Sequence, residues 1–410
     1  MTFSAESTYK LIGAFCLTLL FLLIANSGSD SYFNSGDESG YFANQQILFQ
    51  YGFSTDFLRH FSGMAGPLHP ILHWILSPLT GGIPPGVRFV NFVILLLILW
   101  QFRMDYWHKI VCIPMTFICA GYAMTELPAM FFLLLSIHLL RMEKASTWSF
   151  LFSGLCLSLA VAGRWNYLLV IPAFYYLVGV KSKWNVNALF VFIFSSLIFP
   201  LWIIYAWQGI SPPEVRGLSG YGFWDVDIRN FILSGSFAAL IMFVLSPHWY
   251  VRNSYTRVNL FIVGSLTFAG NGLFHIFEFL PAKSVFDPLF GYFTFLFDKE
   301  SAALFLANGF GSLSITIAYL FYNNLYAKLK KGRDDAEYLF FGIATVLILL
   351  STIKITHVFS SRYPYQALPF LLFLLLKEEK REVLWWEVMV GILGAGWGIT
   401  TWFSYQHIYF

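Results

Sequence analysis

The chain predicts an all-α, polytopic membrane protein with about thirteen transmembrane helices and a helical first extracytoplasmic loop. Three observations predict it. Of 410 residues, 58% are hydrophobic and only 11% charged, with a mean hydropathy of +0.65. Runs near twenty apolar residues recur, which is the length a bilayer crossing needs. Aromatic residues make up 20%; the 46 Phe suit lipid-facing and inter-helix surface, while 14 Trp and 22 Tyr suit span ends at the headgroups.

Taken in order, the apolar runs centre near residues 18, 95, 116, 134, 156, 173, 197, 238, 268, 312, 346, 371 and 394. The first resembles a signal peptide, but no small-residue cleavage site follows it and further spans do, so a retained anchor is expected. With the N-terminus placed in the cytoplasm, sixteen Lys and Arg fall inside and nine outside, and the inner ones cluster in short loops such as that of Lys328, Lys330, Lys331 and Arg333. The long loops 27–88, 208–229 and 281–301 are then all external, as are twelve of the 22 carboxylates. A transporter is expected to hold polar groups near mid-membrane, so this gathering at one face favours one-sided surface chemistry.

Composition also excludes. A net charge of +3 is too small to call for nucleic acid. Cys16, Cys112, Cys119 and Cys156 all fall inside apolar runs, which argues against outer-loop disulfides and thiolate zinc sites.

The first external loop carries the most chemistry. Asp37 and Glu38 follow Ser35, and Ser35-x-x-Glu38 reads as a capping box opening a helix through 41–50. A capped helix end would also hold Asp37 rigidly as a general base toward an acceptor hydroxyl or amine. Further on, Gly66-Pro67-Leu68-His69-Pro70 opens a second helix running to about Ser77, with Pro70 in its first turn, expected to lie along the outer membrane surface. His69 and His73 have the i, i+4 spacing of some zinc sites, but no third ligand is evident and Pro70 leaves a shared face open. Interfacial packing, with a contact to substrate phosphate, is the reading preferred.

Glu126, in Thr125-Glu126-Leu127-Pro128, falls in a tight outer turn between the third and fourth spans. It is either a solvated turn carboxylate or, because the turn is almost wholly apolar, an ionisable group at membrane depth and a functional candidate. Arg164 and Arg362 break the inner bias of positive charge. Each can snorkel to headgroups; if convergent, they would clamp a phosphate leaving group, as guanidinium does bidentately. Tyr363 stands beside Arg362, Lys354 is a possible assistant, His275 with Glu278 is a weaker pair, and Asp225, Asp227 and Arg229 read as a solvated loop.

In this order and sidedness the residues resemble the GT-C superfamily of polytopic glycosyltransferases, in particular the bacterial relatives of protein O-mannosyltransferases and of the aminoarabinose transferase acting on lipid A. The resemblance rests on Asp37-Glu38 after the first span, on Gly66–70 as a G-P-L-x-P helix start, and on Glu126-Leu127-Pro128 in the turn between spans three and four. Arg164-Trp165-Asn166-Tyr167 and Ser361-Arg362-Tyr363, each at the opening of a later span, complete it. It covers residues 10–180 and the remainder in outline. Glu126 stands where several relatives have Asp, and no soluble C-terminal domain is expected after the last span.

The resemblance implies a sugar donor on a polyprenyl phosphate, membrane lipids around the helices, and inverting transfer to a glycan, lipid or protein acceptor. It casts Asp37 as the catalytic base, Glu38 and Glu126 as orienting groups, and Arg164 and Arg362 as holders of the leaving phosphate, with His69, His73 and Tyr363 lining the substrate. No metal and no cofactor are expected. It divides the chain into a catalytic module, 1–207, containing the first loop 27–88, and a variable transmembrane module, 208–410. The location expected is a bacterial inner membrane with the site facing the periplasm or exterior, the endoplasmic reticulum being the alternative. The competing function is a transporter or flippase of a lipid-linked saccharide, for which Asn271 and Lys354 leave room.

Overall fold

The computed structural model describes residues 4–27, 36–63, 65–101, 106–142, 146–213, 226–250, 254–274, 299–354, 360, 362–378 and 382–407. Among these every regular element is helical. The helices are α1 (Ala5–Ala25), α2 (Gly36–Tyr51), α3 (Thr55–His60), α4 (Leu68–Thr80), α5 (Pro84–Gln101), α6 (Trp107–Val111), α7 (Pro114–Gly121), α8 (Glu126–Arg141), α9 (Thr147–Gly163), α10 (Ile171–Lys181) and α11 (Val186–Trp207). The second half adds α12 (Arg229–Leu245), α13 (Ser254–Phe274), α14 (Lys299–Lys331), α15 (Ala336–Ser351), α16 (Arg362–Tyr365), α17 (Leu368–Leu376) and α18 (Trp385–His407).

Local chemistry sets several of the boundaries. Ser4 accepts a hydrogen bond from the Ser7 amide at the start of α1, Asn185 caps α11, and Asp335 caps α15 through the Glu337 and Tyr338 amides. Ser146 and Ser149 form a reciprocal capping box at α9. Each of the thirteen predicted centres lies within a helix, but among the described residues only five helices are long and apolar enough to cross a membrane: Ala5–Ala25, Pro84–Gln101, Val186–Trp207, Phe305–Lys331 and Ala336–Lys354. Short helices account for part of the difference. The 8 residues of α7 and the 9 of α17 rise about 12–14 Å, well under a hydrocarbon slab of about 30 Å. α7 and α8 together pass the same test, bent by 105° at 122–125. The protein is therefore a membrane-embedded helical bundle.

The main core gathers α1, α5, α7, α8, α9 and α17 around Leu95, Phe117, Leu133, Ile137, Leu157 and Leu371, all fully buried. A second, smaller core docks the first loop. Phe57, Leu58 and Phe61 of the α3 region pack on Leu68, Ala162 and Trp207, and the Trp207 indole donates to the Leu58 carbonyl at 2.8 Å.

One end of the bundle is tied by ion pairs. Glu337 receives Lys181 at 2.5 Å, Lys377 at 3.2 Å and Arg141 at 3.4 Å, and Lys377 also reaches Asp335 at 2.9 Å. A separate pair of contacts, distant in sequence, joins Lys109 of α6 and His248 to Glu387 of α18 at 3.0 and 2.8 Å.

Candidate functional site

Gly66 and Gly163 bring the site together. Gly66 has φ +97°, and a Cβ there would collide with the Ala162 carbonyl oxygen at the end of α9. A Cβ on Gly163 would stand 2.8 Å from both Ala129 of α8 and Leu68 of α4. Three helix ends therefore converge, which sets Arg164 beside the first residue of α8 and the first turn of α4.

Glu126 is that first residue of α8, and it is fully buried. The solvated-turn reading is thus corrected: residues 122–125 are themselves buried, so the carboxylate faces protein. Its Oε1 accepts from Arg164 Nη2 in a short, charge-assisted contact, and Arg362 Nη1 approaches the same oxygen at 3.7 Å. Among the described residues, Glu126 Oε2 and Arg164 Nε have no hydrogen-bond partner. Snorkelling is corrected as well, because Arg164 and Arg362 are both buried. Arg362 is oriented by its own loop, Nε donating to Ser360 Oγ at 3.2 Å, while Nη1 lies 2.9 Å from Met124 Sδ. Tyr363 is half-buried, and it and Tyr41 act electrostatically on Arg164.

The two histidines do share a face despite Pro70. His69 Nε2 and His73 Nε2 are 3.0 Å apart, so one donates to the other, and both Nδ1 atoms are buried without a partner. The Tyr41 ring packs on His69 at 5.3 Å. Burial first, then His73 and the Arg164 charge, hold His69 well below its usual range; burial alone pushes His73 down to about 3. Both rings are neutral at physiological pH. Among the described residues, no group of three or more His, Cys, Asp or Glu is placed to hold a metal ion.

Glu38 sits beside this cluster but is occupied. Its carboxylate takes Arg88 bidentately, from Nε at 3.2 Å and Nη2 at 2.8 Å, and accepts the Ala123 amide at 2.6 Å. Asn91, one turn along α5 from Arg88, donates to the Tyr122 and Met124 carbonyls at 2.9 and 2.8 Å. The turn that carries Glu126 is therefore held from outside by two helices. Arg88 and Asn91 escaped the sequence reading; the available signal was a pair of polar residues at i, i+3 in an otherwise apolar span.

Asp37 lies in the first turn of α2, four residues before Tyr41. The Asp37 side chain, Ser35 with its capping box, Ser361, Asp225, His275 and Glu278 lie outside the described residues. Lys354 is exposed, and Asp227 with Arg229 forms a surface pair at 2.7 Å. The structure thus brings together Glu126, Arg164, Arg362, His69 and His73, with Glu38 one turn of chain away.

No family model, curated protein or solved structure matches this chain.

Proposed function

We propose that this protein is a membrane glycosyltransferase of the GT-C type, built on about thirteen spans, that moves a sugar from a polyprenyl-phosphate donor to an acceptor at the extracytoplasmic face. The observation that carries the reading is the buried convergence of two guanidinium groups on one carboxylate, with Glu126 Oε2, Arg164 Nε and two histidine Nδ1 atoms left without partners. With Glu126 ionised the group holds one surplus positive charge, and buried polar atoms are rarely left unpaired without a reason. An anionic, hydroxyl-rich ligand would answer both features.

In this reading Asp37 takes the proton from the acceptor hydroxyl or amine as that atom bonds to the anomeric carbon. The carbon–phosphate oxygen bond breaks on the opposite side, inverting the centre, and the electron pair leaves on the phosphate. Arg164 and Arg362 hold that anion. Glu126 orients both guanidiniums and presents Oε2 to a sugar hydroxyl. Glu38 acts as a positioning residue, since its carboxylate is engaged by Arg88 and Ala123. A narrow apolar space of about 160 Å³ between α7, α12 and α18, lined by Met115, Ile241 and Leu393, offers room for part of an isoprenoid chain. The membrane proposed is a bacterial inner membrane, with the endoplasmic reticulum as the alternative.

The test is a mass-spectrometric comparison of surface glycolipids and glycoproteins from cells with and without the protein. One class should lose a sugar in its absence, and Asp37→Ala should reproduce that loss while donor lipid still binds. Unchanged glycans in every class would end the proposal.

A second reading, a transporter or flippase of a lipid-linked saccharide, draws on a polar seam inside apolar helices: Asn271 donates to the Asn308 carbonyl at 3.1 Å, and Ser312 donates to the Thr267 carbonyl at 3.3 Å. That reading predicts flux of donor lipid across vesicles that survives Asp37→Ala.

A further inference from the structure

The first loop contains two short helices with opposite polarity. α3 is ordinary: Phe57 and Leu58 are buried, while Asp56 and Arg59 face outward. α4 is inverted. Its polar residues His69 and His73 are buried, whereas Ile75 is 59% exposed and Leu79 is 85% exposed. Ile83, just beyond the turn that ends α4, is 56% exposed. No residue of Leu68–Thr80 is charged. A helix whose outward face met water would place polar groups there, as α3 does.

The apolar face of α4 is also continuous with a surface that already needs lipid. α5 is a candidate span, and its exposed residues Phe89, Val93, Leu96 and Trp100 form one stripe at helical spacing. Its opposite stripe, with Arg88, Asn91 and Leu95, faces the protein. Gly81 and Gly82 turn the chain tightly from α4 into α5, and a Cβ on Gly86 would stand 2.5 Å from the Thr80 carbonyl oxygen. The last turn of α4 is therefore packed against the first of α5, and Leu79 and Ile83 remain exposed on either side of the turn that joins them.

We propose that the outward face of α4, with Ile83 beside it, is a lipid-contact surface that seats this helix in the membrane boundary, its apolar side against acyl chains and its histidine side against the protein. This assignment does not depend on the transferase reading. It does mean that a lipid lying against α4 is separated from the Glu126 cluster by the width of a single helix.

The test uses the full chain with Leu79→Cys, carrying an environment-sensitive fluorophore, in phosphatidylcholine vesicles whose acyl chains are brominated. Leu79 is almost fully exposed, so the change leaves packing intact; Ile75→Cys serves as an independent second position. Asp56→Cys on α3 is the water-facing control. Brominated chains should lower fluorescence from positions 79 and 75 about two-fold relative to unbrominated lipid, as expected of an interfacial helix buried to the acyl boundary. The label at position 56 should be unaffected, and a water-soluble maleimide should react there far faster than at 79. Equal maleimide reactivity at 79 and 56 without quenching overturns the proposal. So does a cysteine-linked dimer through position 79 without quenching, which would make the face a contact between copies of the chain.

Discussion

Two groups of charges, one at each end of the bundle, are built differently. Glu337 receives three cations, and its neighbour Asp335 caps a helix while accepting Lys377; neither carboxylate has an oxygen left buried and unpartnered. Burial opposes ionisation of Asp335, but the Lys377 hydrogen bond and the backbone amides outweigh it and hold that carboxyl below its usual range. Glu126 is buried more deeply, sits between two arginines, and still keeps Oε2 without a partner. The lesson is that a saturated, half-exposed network ties helices together, whereas a buried network with open valences keeps polar atoms available for a further hydrogen-bonding partner.

The comparison is broken most directly at the reaction. Asp37→Ala should lower the rate of sugar transfer by about 10²–10⁴, the range of a lost general base, in a vesicle assay with polyprenyl-phosphate sugar. A rate within a factor of two of wild type would remove Asp37 from the chemistry.

The next effect is on stability. Arg88→Ala strips the buried Glu38 carboxylate of its ion-pair partner, and should cost about 3–5 kcal/mol in a denaturant titration of the detergent-solubilised protein. Pairing it with Glu38→Gln should recover a large part of that loss, because the uncompensated charge is gone. If Arg88→Ala is as mild as a surface change, the brace on the Glu126 turn is not structural.

Acid gives a smaller, graded signal. His69 and His73 are held neutral in the folded protein, so below a pH of about 6.5 the unfolded chain binds protons that the folded chain does not. Their contribution to stability is present above that value and is lost as pH falls below it. The thermal midpoint should drop more between pH 7 and pH 5 in wild type than in a His69→Gln, His73→Gln variant. At the other end, Lys377→Ala should cost less than about 1 kcal/mol, since the pair is partly exposed and Glu337 keeps two other cations. A loss there as large as that of Arg88→Ala would erase the contrast between the two regions.

Much of the architecture was legible in the sequence because apolar runs, caps and prolines act locally. Thirteen helix centres followed from hydropathy alone, and Pro70 and Gly66 marked the start of α4. Helix lengths were less legible, since the breaks at 112–113 and 122–125 lie inside apolar stretches that give no polar signal. Within the site, Arg164 and Arg362 stood out for their charge, but their meeting at Glu126 depends on contacts spanning 38 residues of chain and, for Arg362, the opposite half of the protein. The part played by Arg88 was hidden because it looked like one more outer-loop cation. Its partner lies 50 residues earlier, and no local pattern records such a pairing.

The Glu38 brace also constrains how the molecule is assembled. This carboxylate leaves the ribosome 50 residues ahead of Arg88 and 85 ahead of the Ala123 amide. A bare carboxylate will not enter a dry interior, so it stays hydrated until both have been delivered. The first loop must therefore stay at the water's edge until α5 and the turn after α7 have been made, and can close over them only then.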